Sequence, residues 1–346
     1  MINIQEYVND ILLSCDVKPL PGSAVLITGA TGLIGSCAVD TLYLLNKKFN
    51  LEYRIYASAR NLNRLRNRFS YDKERSIRFV VQDVTSPLDE NLKIDYIIHT
   101  ASLADPLSYA EMPVETILTN ILGHKSMLDY CRQHNKTRLV ITSTFEVYGE
   151  GAGKAELEET FVGNLNFNIL RSGYPESKRC SEVLARSYGE EYGVDFVIGR
   201  LSSVYGPTMS DCDSKAHAQF FRNALSGNDI VLKSPGSQKR SYTYVIDVVS
   251  ALLFLCLNGE SGETYNISNS NSVCTIAELA SMIAGMTGHK IIYDLPSEIE
   301  RKGFSTPKDS VLDCRKINAL GWRGRYDIEE GLSKSINILK NKIKET

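Results

Sequence analysis

Tyr174 and Lys178 lie four residues apart in YPESK, so a helix there puts both on one face, one turn from each other. An ammonium beside a phenol favours phenolate and moves the phenol toward use as a general base. Upstream, the stretch ITSTFEVYG (141–149) has Thr144 at the C-terminal end of an apolar run. Open α/β sheets hold their ligands at that end of their strands. Thr144 is placed to hydrogen-bond a substrate hydroxyl while Tyr174 removes its proton. Glu146, two residues on, adds a carboxylate that either serves as a further base or is satisfied by backbone N–H groups.

A second group of residues reads as a dinucleotide cradle. Gly29, Gly32 and Gly35 in TGATGLIG follow the apolar run AVLIT and open a helix-like segment. The first glycine allows a tight turn, the second lets backbone approach a pyrophosphate, and the third lets helix and strand pack closely. The next strand ends Ser58-Ala59-Arg60, without the carboxylate that would bond the 2′-hydroxyl of NAD. Arg60 in its place suits a 2′-phosphate, so the cofactor expectation is NAD(P) with NADP(H) favoured. Against this, Arg64, Arg66 and Arg68 follow, and Arg60 also reads as one more surface arginine. Asp83 reads either as an acceptor for the adenine amino group or as a strand-end turn residue.

These residues need elements to hold them. Strand-like runs at 24–29, 53–59, 78–84, 95–101, 138–144 and 195–206 alternate with helix-like segments through Leu45, at 113–134 and at 174–192. Alternation of this kind implies a parallel sheet covered on both faces. The expected fold is α/β: a Rossmann-like doubly wound sheet with a smaller, discontinuous α/β substrate-binding lobe. The expected division is an N-terminal helix at 1–20 packed on the body, a dinucleotide-binding domain at 21–206 and 244–269, and a lobe at 207–243 and 270–346. Ile4, Val8, Ile11 and Leu12 supply the apolar face of that first helix.

Composition narrows the function classes. The 346 residues are 43% hydrophobic and 23% charged with a formal net charge of −2, an ordinary globular balance. Without a basic run, a nucleic-acid or anionic-membrane partner is not expected. The N-terminus has no positive n-region or cleavage site, and the apolar run 251–257 is too short for a bilayer, so the expectation is a soluble, cytoplasmic protein. The eight cysteines form no CxxC pair; Cys37, Cys131, Cys180 and Cys256 fall in apolar or helical stretches and read as reduced small hydrophobes. The five histidines, His99, His124, His134, His217 and His289, are scattered, and no metal site is expected.

In this order, TGATGLIG, HTAS (99–102), ITSTFEVYG, YPESK, GRLSSVYGP (199–207), QKRSYTYVIDVV (238–249) and LGW (320–322) resemble the extended short-chain dehydrogenase/reductases of the nucleotide-sugar epimerase/dehydratase family. The resemblance covers about residues 22–335 and is similar in particular to UDP-glucuronate decarboxylases and NDP-sugar 4,6-dehydratases. It implies Thr144, Tyr174 and Lys178 as the catalytic set, with Lys178 also on the nicotinamide ribose. It further implies that Thr31, Leu33, Ile34, Val84, Thr100 and Ala101 line the cofactor. Ser102, Ser203, Arg240 and Arg301 would bind the nucleotide-diphosphate sugar. A homodimer is the usual assembly.

Two departures bear on the reaction. Ser203 stands where relatives often have an asparagine, and Phe145-Glu146 stands where 4,6-dehydratases have Asp-Glu. Members of the family typically oxidise C4 of the sugar to a 4-ketone, which permits elimination or decarboxylation. Redox-neutral dehydration or decarboxylation is the leading expectation, and NADPH-dependent 4-keto reduction the alternative. Epimerisation, or a non-catalytic NADP-binding regulator, ranks lower.

Overall fold

The computed structural model describes residues 7–14, 19–149, 154–294 and 309–344. Arg301, Ile4 and Cys15 lie outside the described residues.

Seven strands form one parallel sheet: β1 (Ala24–Thr28), β2 (Arg54–Ala59), β3 (Ile77–Val81), β4 (Tyr96–His99), β5 (Arg138–Thr144), β6 (Phe196–Leu201) and β10 (Thr264–Ile267). Their order is β10-β6-β5-β4-β1-β2-β3. The chain winds outward in one direction from β1 and then reverses to β4, so the crevice beyond the ends of β1 and β4 is the topological switch point. This is the Rossmann-like doubly wound sheet that the alternation of apolar runs predicts.

Each central strand is buried on both faces, which is why β1 reads as a continuous apolar run rather than an alternating one. Val25 and Ile27 join the core beneath α2 (Leu33–Phe49) and α8 (Val245–Asn258). Ala24 and Leu26 point the other way, into the core beneath α5 (Pro113–Gln133) and α6 (Gly173–Tyr192). The apolar run 251–257 belongs to α8, whose residues 245–256 are all buried. Among the described residues no helix is long and apolar enough to cross a membrane.

The segment 195–206 differs from its reading as one strand. The chain leaves the main sheet after Leu201, and Ser203–Tyr205 forms β7 in a separate three-stranded sheet, β11-β9-β7, with β9 (Lys239–Tyr244) and β11 (Val273–Thr275). The hydroxyls of Ser202 and Thr243 lie 2.6 Å apart where the strand departs. A pair of short strands, β8 (Ile230–Leu232) and β12 (Ile291–Tyr293), packs nearby with α7 (Ala216–Leu225) and α9 (Ile276–Thr287). The small helix α3 (Leu62–Arg68) follows β2, and α4 (Pro106–Glu111) precedes α5.

The chain closes with α10 (Arg315–Leu320) and α11 (Ile328–Lys344). Helix α1 (Val8–Ser14) packs on α8 and α2. It is fastened by polar contacts: Tyr7 and Arg68 both reach the fully buried Asp40 carboxylate, and Lys334 donates to Asp10 at 2.7 Å. Cys37, Cys131 and Cys256 are buried as expected, but Cys180 is exposed, because it occupies the outward side of α6.

Candidate active site

The glycine turn fits a dinucleotide. Gly29 has φ +65°, and a side chain on it would come within 2.8 Å of the Ala101 backbone. A Cβ on Gly35 would lie 2.3 Å from the Gly29 carbonyl oxygen. Gly32 caps α2 without any side-chain hydrogen bond, so the first N–H groups of that helix are open to an anion. Thr31, Leu33 and Ile34 are half-buried around this opening. Across the crevice, the Thr28 hydroxyl accepts from the amides of Thr100 (3.2 Å) and Ala101 (3.3 Å), which ties the end of β4 to the end of β1. Val84 packs where α5 passes at Gly123.

At the far end of the cradle Arg60 is largely exposed and pairs with Asp83 at only 4.0 Å. Asp83 accepts from the amide and hydroxyl of Thr85, which hold its carboxyl below the usual range. These bonds make it a strand-end turn residue.

Thr144 ends β5, and Tyr174 and Lys178 sit one turn apart at the start of α6. All three are buried. Burial pushes the Tyr174 phenol above its ordinary value and the Glu146 charge adds to this; hydrogen bonds from Thr144 and Tyr109, and the charge of Arg171, act the other way. The Lys178 Nζ donates to the Thr142 carbonyl at 3.0 Å. Burial brings its pKa down to about 8, against the pull of Glu182. Glu182 is itself held by Arg200 at 2.7 and 3.0 Å and by the Ser143 hydroxyl at 2.5 Å.

Three residues of this site escape a reading of the sequence. Tyr109, on α4, stacks on Tyr174 with ring centroids 4.5 Å apart and 22° between planes. Arg171 lies over the outer side of the Tyr109 ring at 4.6 Å and pairs with the Glu146 carboxylate at 2.6 Å. Asn120, fully buried on α5, accepts from the Ser102 hydroxyl (2.7 Å) and donates to Ser177 (2.8 Å) on the helix that carries Tyr174. Ser102 is therefore linked through Asn120 to α6. Only Arg171, just before YPESK, lies next to a recognised motif; nothing in the sequence marks Tyr109.

Ser203 and Arg240 lie on adjacent strands of the small sheet. Ser203 lies in register with Tyr242, and Arg240 is two residues earlier on the same face of β9. The Arg240 guanidinium sits 5.8 Å from the Phe145 ring, which joins this sheet to the end of β5.

The family model described as the NAD dependent epimerase/dehydratase family matches residues 25–268. The chain belongs to this family. Epimerase/dehydratase relatives include UDP-glucuronic acid decarboxylase 6 of Arabidopsis thaliana, 32% identical over 309 residues that cover 89% of this chain and 86% of the relative. UDP-glucuronic acid decarboxylase 1 of Xenopus tropicalis is 29% identical over 92% of this chain and 72% of its own length. Among solved structures, UDP-glucose 4-epimerase of Thermus thermophilus, in complex with NAD, superposes with a TM-score of 0.76 at 26% identity, over 92% of this chain and 99% of the other. As a member of this family the protein is an enzyme whose relatives work on nucleotide-sugars.

Proposed function

We propose that the protein is a redox-neutral decarboxylase of a UDP-hexuronic acid. The carrying observation is the Arg171–Glu146 ion pair beside Tyr174. A glutamate oxygen held at 2.6 Å by a guanidinium is engaged by that N–H and not left free to face the C5 proton that a dehydratase must remove. A guanidinium at the same place is the fork that recognises a carboxylate. The identity to decarboxylases supports the same choice.

In this reading the cradle of Gly29, Gly32 and Gly35 would hold the dinucleotide, whose nicotinamide would supply reversible hydride chemistry at C4 of the sugar. Tyr174 takes the C4 hydroxyl proton, with Thr144 and Tyr109 donating to its oxygen to stabilise the phenolate. Lys178, beneath them, carries the positive charge of the site. Arg171 holds the C5 carboxylate. Once C4 is a ketone, the C5–C6 electron pair flows toward its oxygen as CO₂ leaves, and C5 then takes a proton. Ser203 and Arg240 bind the diphosphate, Ser102, held by Asn120, orients the sugar, and Arg60 would be the residue to meet a 2′-phosphate if the dinucleotide is NADP(H).

The test is incubation with UDP-glucuronate and NAD⁺ or NADP⁺. CO₂ and a UDP-pentose should form without net change in nicotinamide absorbance. NADPH consumption with a 4-keto nucleotide-sugar, and no CO₂ from UDP-glucuronate, would establish the reductase instead; the absence of an acid after β2 favours that second reading. The assembly is proposed to be a homodimer through α5 and α6, where Val114, Leu118 and Leu122 line one exposed stripe beside Val183. Leu118→Glu should give monomers by sedimentation.

A further inference from the structure

We propose that His217 is a ligand of the substrate's nucleoside, its imidazole Nε2 accepting a hydrogen bond from a base N–H or a ribose hydroxyl. The inference rests on the nucleotide-sugar reading above and adds to it a residue that no motif marks.

His217 is in the first turn of α7 and 5% exposed. Its ring stands edge-on to Tyr242, with centroids 6.2 Å apart and planes at 86°. That contact puts it on the face of the small sheet that carries Arg240 and, opposite Tyr242, Ser203. One ring nitrogen is bonded to the Val204 backbone. The other, Nε2, is buried and has no partner among the described residues. The same holds for Nε of Arg240. Buried polar groups are usually paired, so these two, on neighbouring elements of the lobe that also carries Ser203, are open to completion by a ligand.

The chemistry of the two orphans differs. Burial, with the charges of Lys215 and Arg240, holds the imidazole down to about 4, against the opposing pull of Asp213. At neutral pH the ring is uncharged. Because Nδ1 is the nitrogen left to donate to the Val204 carbonyl, Nε2 presents a lone pair. A phosphate at neutral pH has no proton to give to a lone pair and goes to the guanidinium. The base and the ribose do carry donors. Arg240 therefore takes the diphosphate and His217 the nucleoside, and the substrate is read at two points along one sheet face.

The experiment is calorimetric titration of the NAD-loaded, full-length protein with UDP, 3-methyl-UDP, 2′-deoxy-UDP and 3′-deoxy-UDP. On the parent protein one of the three analogues should bind about ten-fold more weakly than UDP, as expected for one lost hydrogen bond. His217→Leu should weaken UDP by a similar factor, and on that variant the same analogue should lose nothing further. His217→Gln, which keeps an acceptor, should recover part of the loss. Equal affinity of the parent for UDP and all three analogues overturns the inference, and needs no variant to fold. So does UDP affinity of His217→Leu equal to the parent's, as would follow if the lone pair only holds a buried water. Failure of the parent to bind UDP at all overturns the UDP-sugar reading itself.

Discussion

The guanidinium of Arg171 lies 2.6 Å from the carboxylate of Glu146 and caps the Tyr109 ring that stacks on Tyr174. One cation thus touches Glu146 directly and, through one ring, Tyr174. Both side chains of the ion pair are about a quarter exposed, so a substrate carboxylate can compete for the arginine.

Arg171→Leu is expected to raise KM for UDP-glucuronate by about ten- to hundred-fold, the worth of a charge-assisted fork of roughly 1.5–3 kcal/mol. Affinity for UDP, which has no uronate carboxylate, should change little. Glu146→Gln should keep transient reduction of the bound dinucleotide and slow CO₂ release. The wild type should show no C5 exchange with deuterated solvent beyond the single proton taken up. Repeated C5 exchange that depends on Glu146 would point to a dehydratase.

Tyr174→Phe should leave cofactor affinity intact and cut hydride transfer by roughly 10²–10⁴-fold, because only the hydroxyl is removed. Lys178→Met should harm turnover and dinucleotide binding together. Near-normal single-turnover rates in Tyr174→Phe would require another base.

Arg60→Ala should weaken NADP(H) about ten- to hundred-fold and NAD(H) far less. In the structure Arg60 has only a 4.0 Å, solvent-exposed partner in Asp83, so little is lost when it turns to a 2′-phosphate. Equal, small losses for both cofactors, measured by fluorescence titration, would return Arg60 to the surface.

His99 and His124, edge to face at 4.4 Å, are both fully buried, and burial together with the nearby Lys178 charge keeps both neutral, His99 down to about 3. The unfolded imidazole titrates near 6.5, so between about pH 6.5 and 3 the unfolded chain binds more protons and stability falls as pH falls. His99 alone should cost about 2 kcal/mol between pH 6.5 and 5 at ~1.4 kcal/mol per unit. Urea midpoints at pH 5 and 7.5 measure this, and His124→Gln should flatten the dependence. A midpoint that does not move would mean that these rings are hydrated in the folded protein.

The sequence alone determined the alternation of strands and helices from β1 to β6, the glycine turn and the Tyr174–Lys178 face. Each is a local property: apolar runs report burial, glycines report backbone shape, and a spacing of four fixes one helix face. What faces that helix was not legible. Tyr109 is 65 positions from Tyr174, and Arg171 is 25 from Glu146; nothing in a tyrosine or an arginine says which ring or carboxylate it will meet. The run 195–206 looked like one strand because both halves are apolar, yet Ser203–Tyr205 pairs with β9, since pairing is decided by the partner edge and not by the strand's own residues. Spacing put Lys178 beside the phenol; what it did not show is that the ammonium also donates to the Thr142 carbonyl, because a buried ammonium takes acceptors that only the three-dimensional packing brings near. His217 carried no signal in one dimension; only the packing of α7 on Tyr242 leaves its lone pair buried and unanswered.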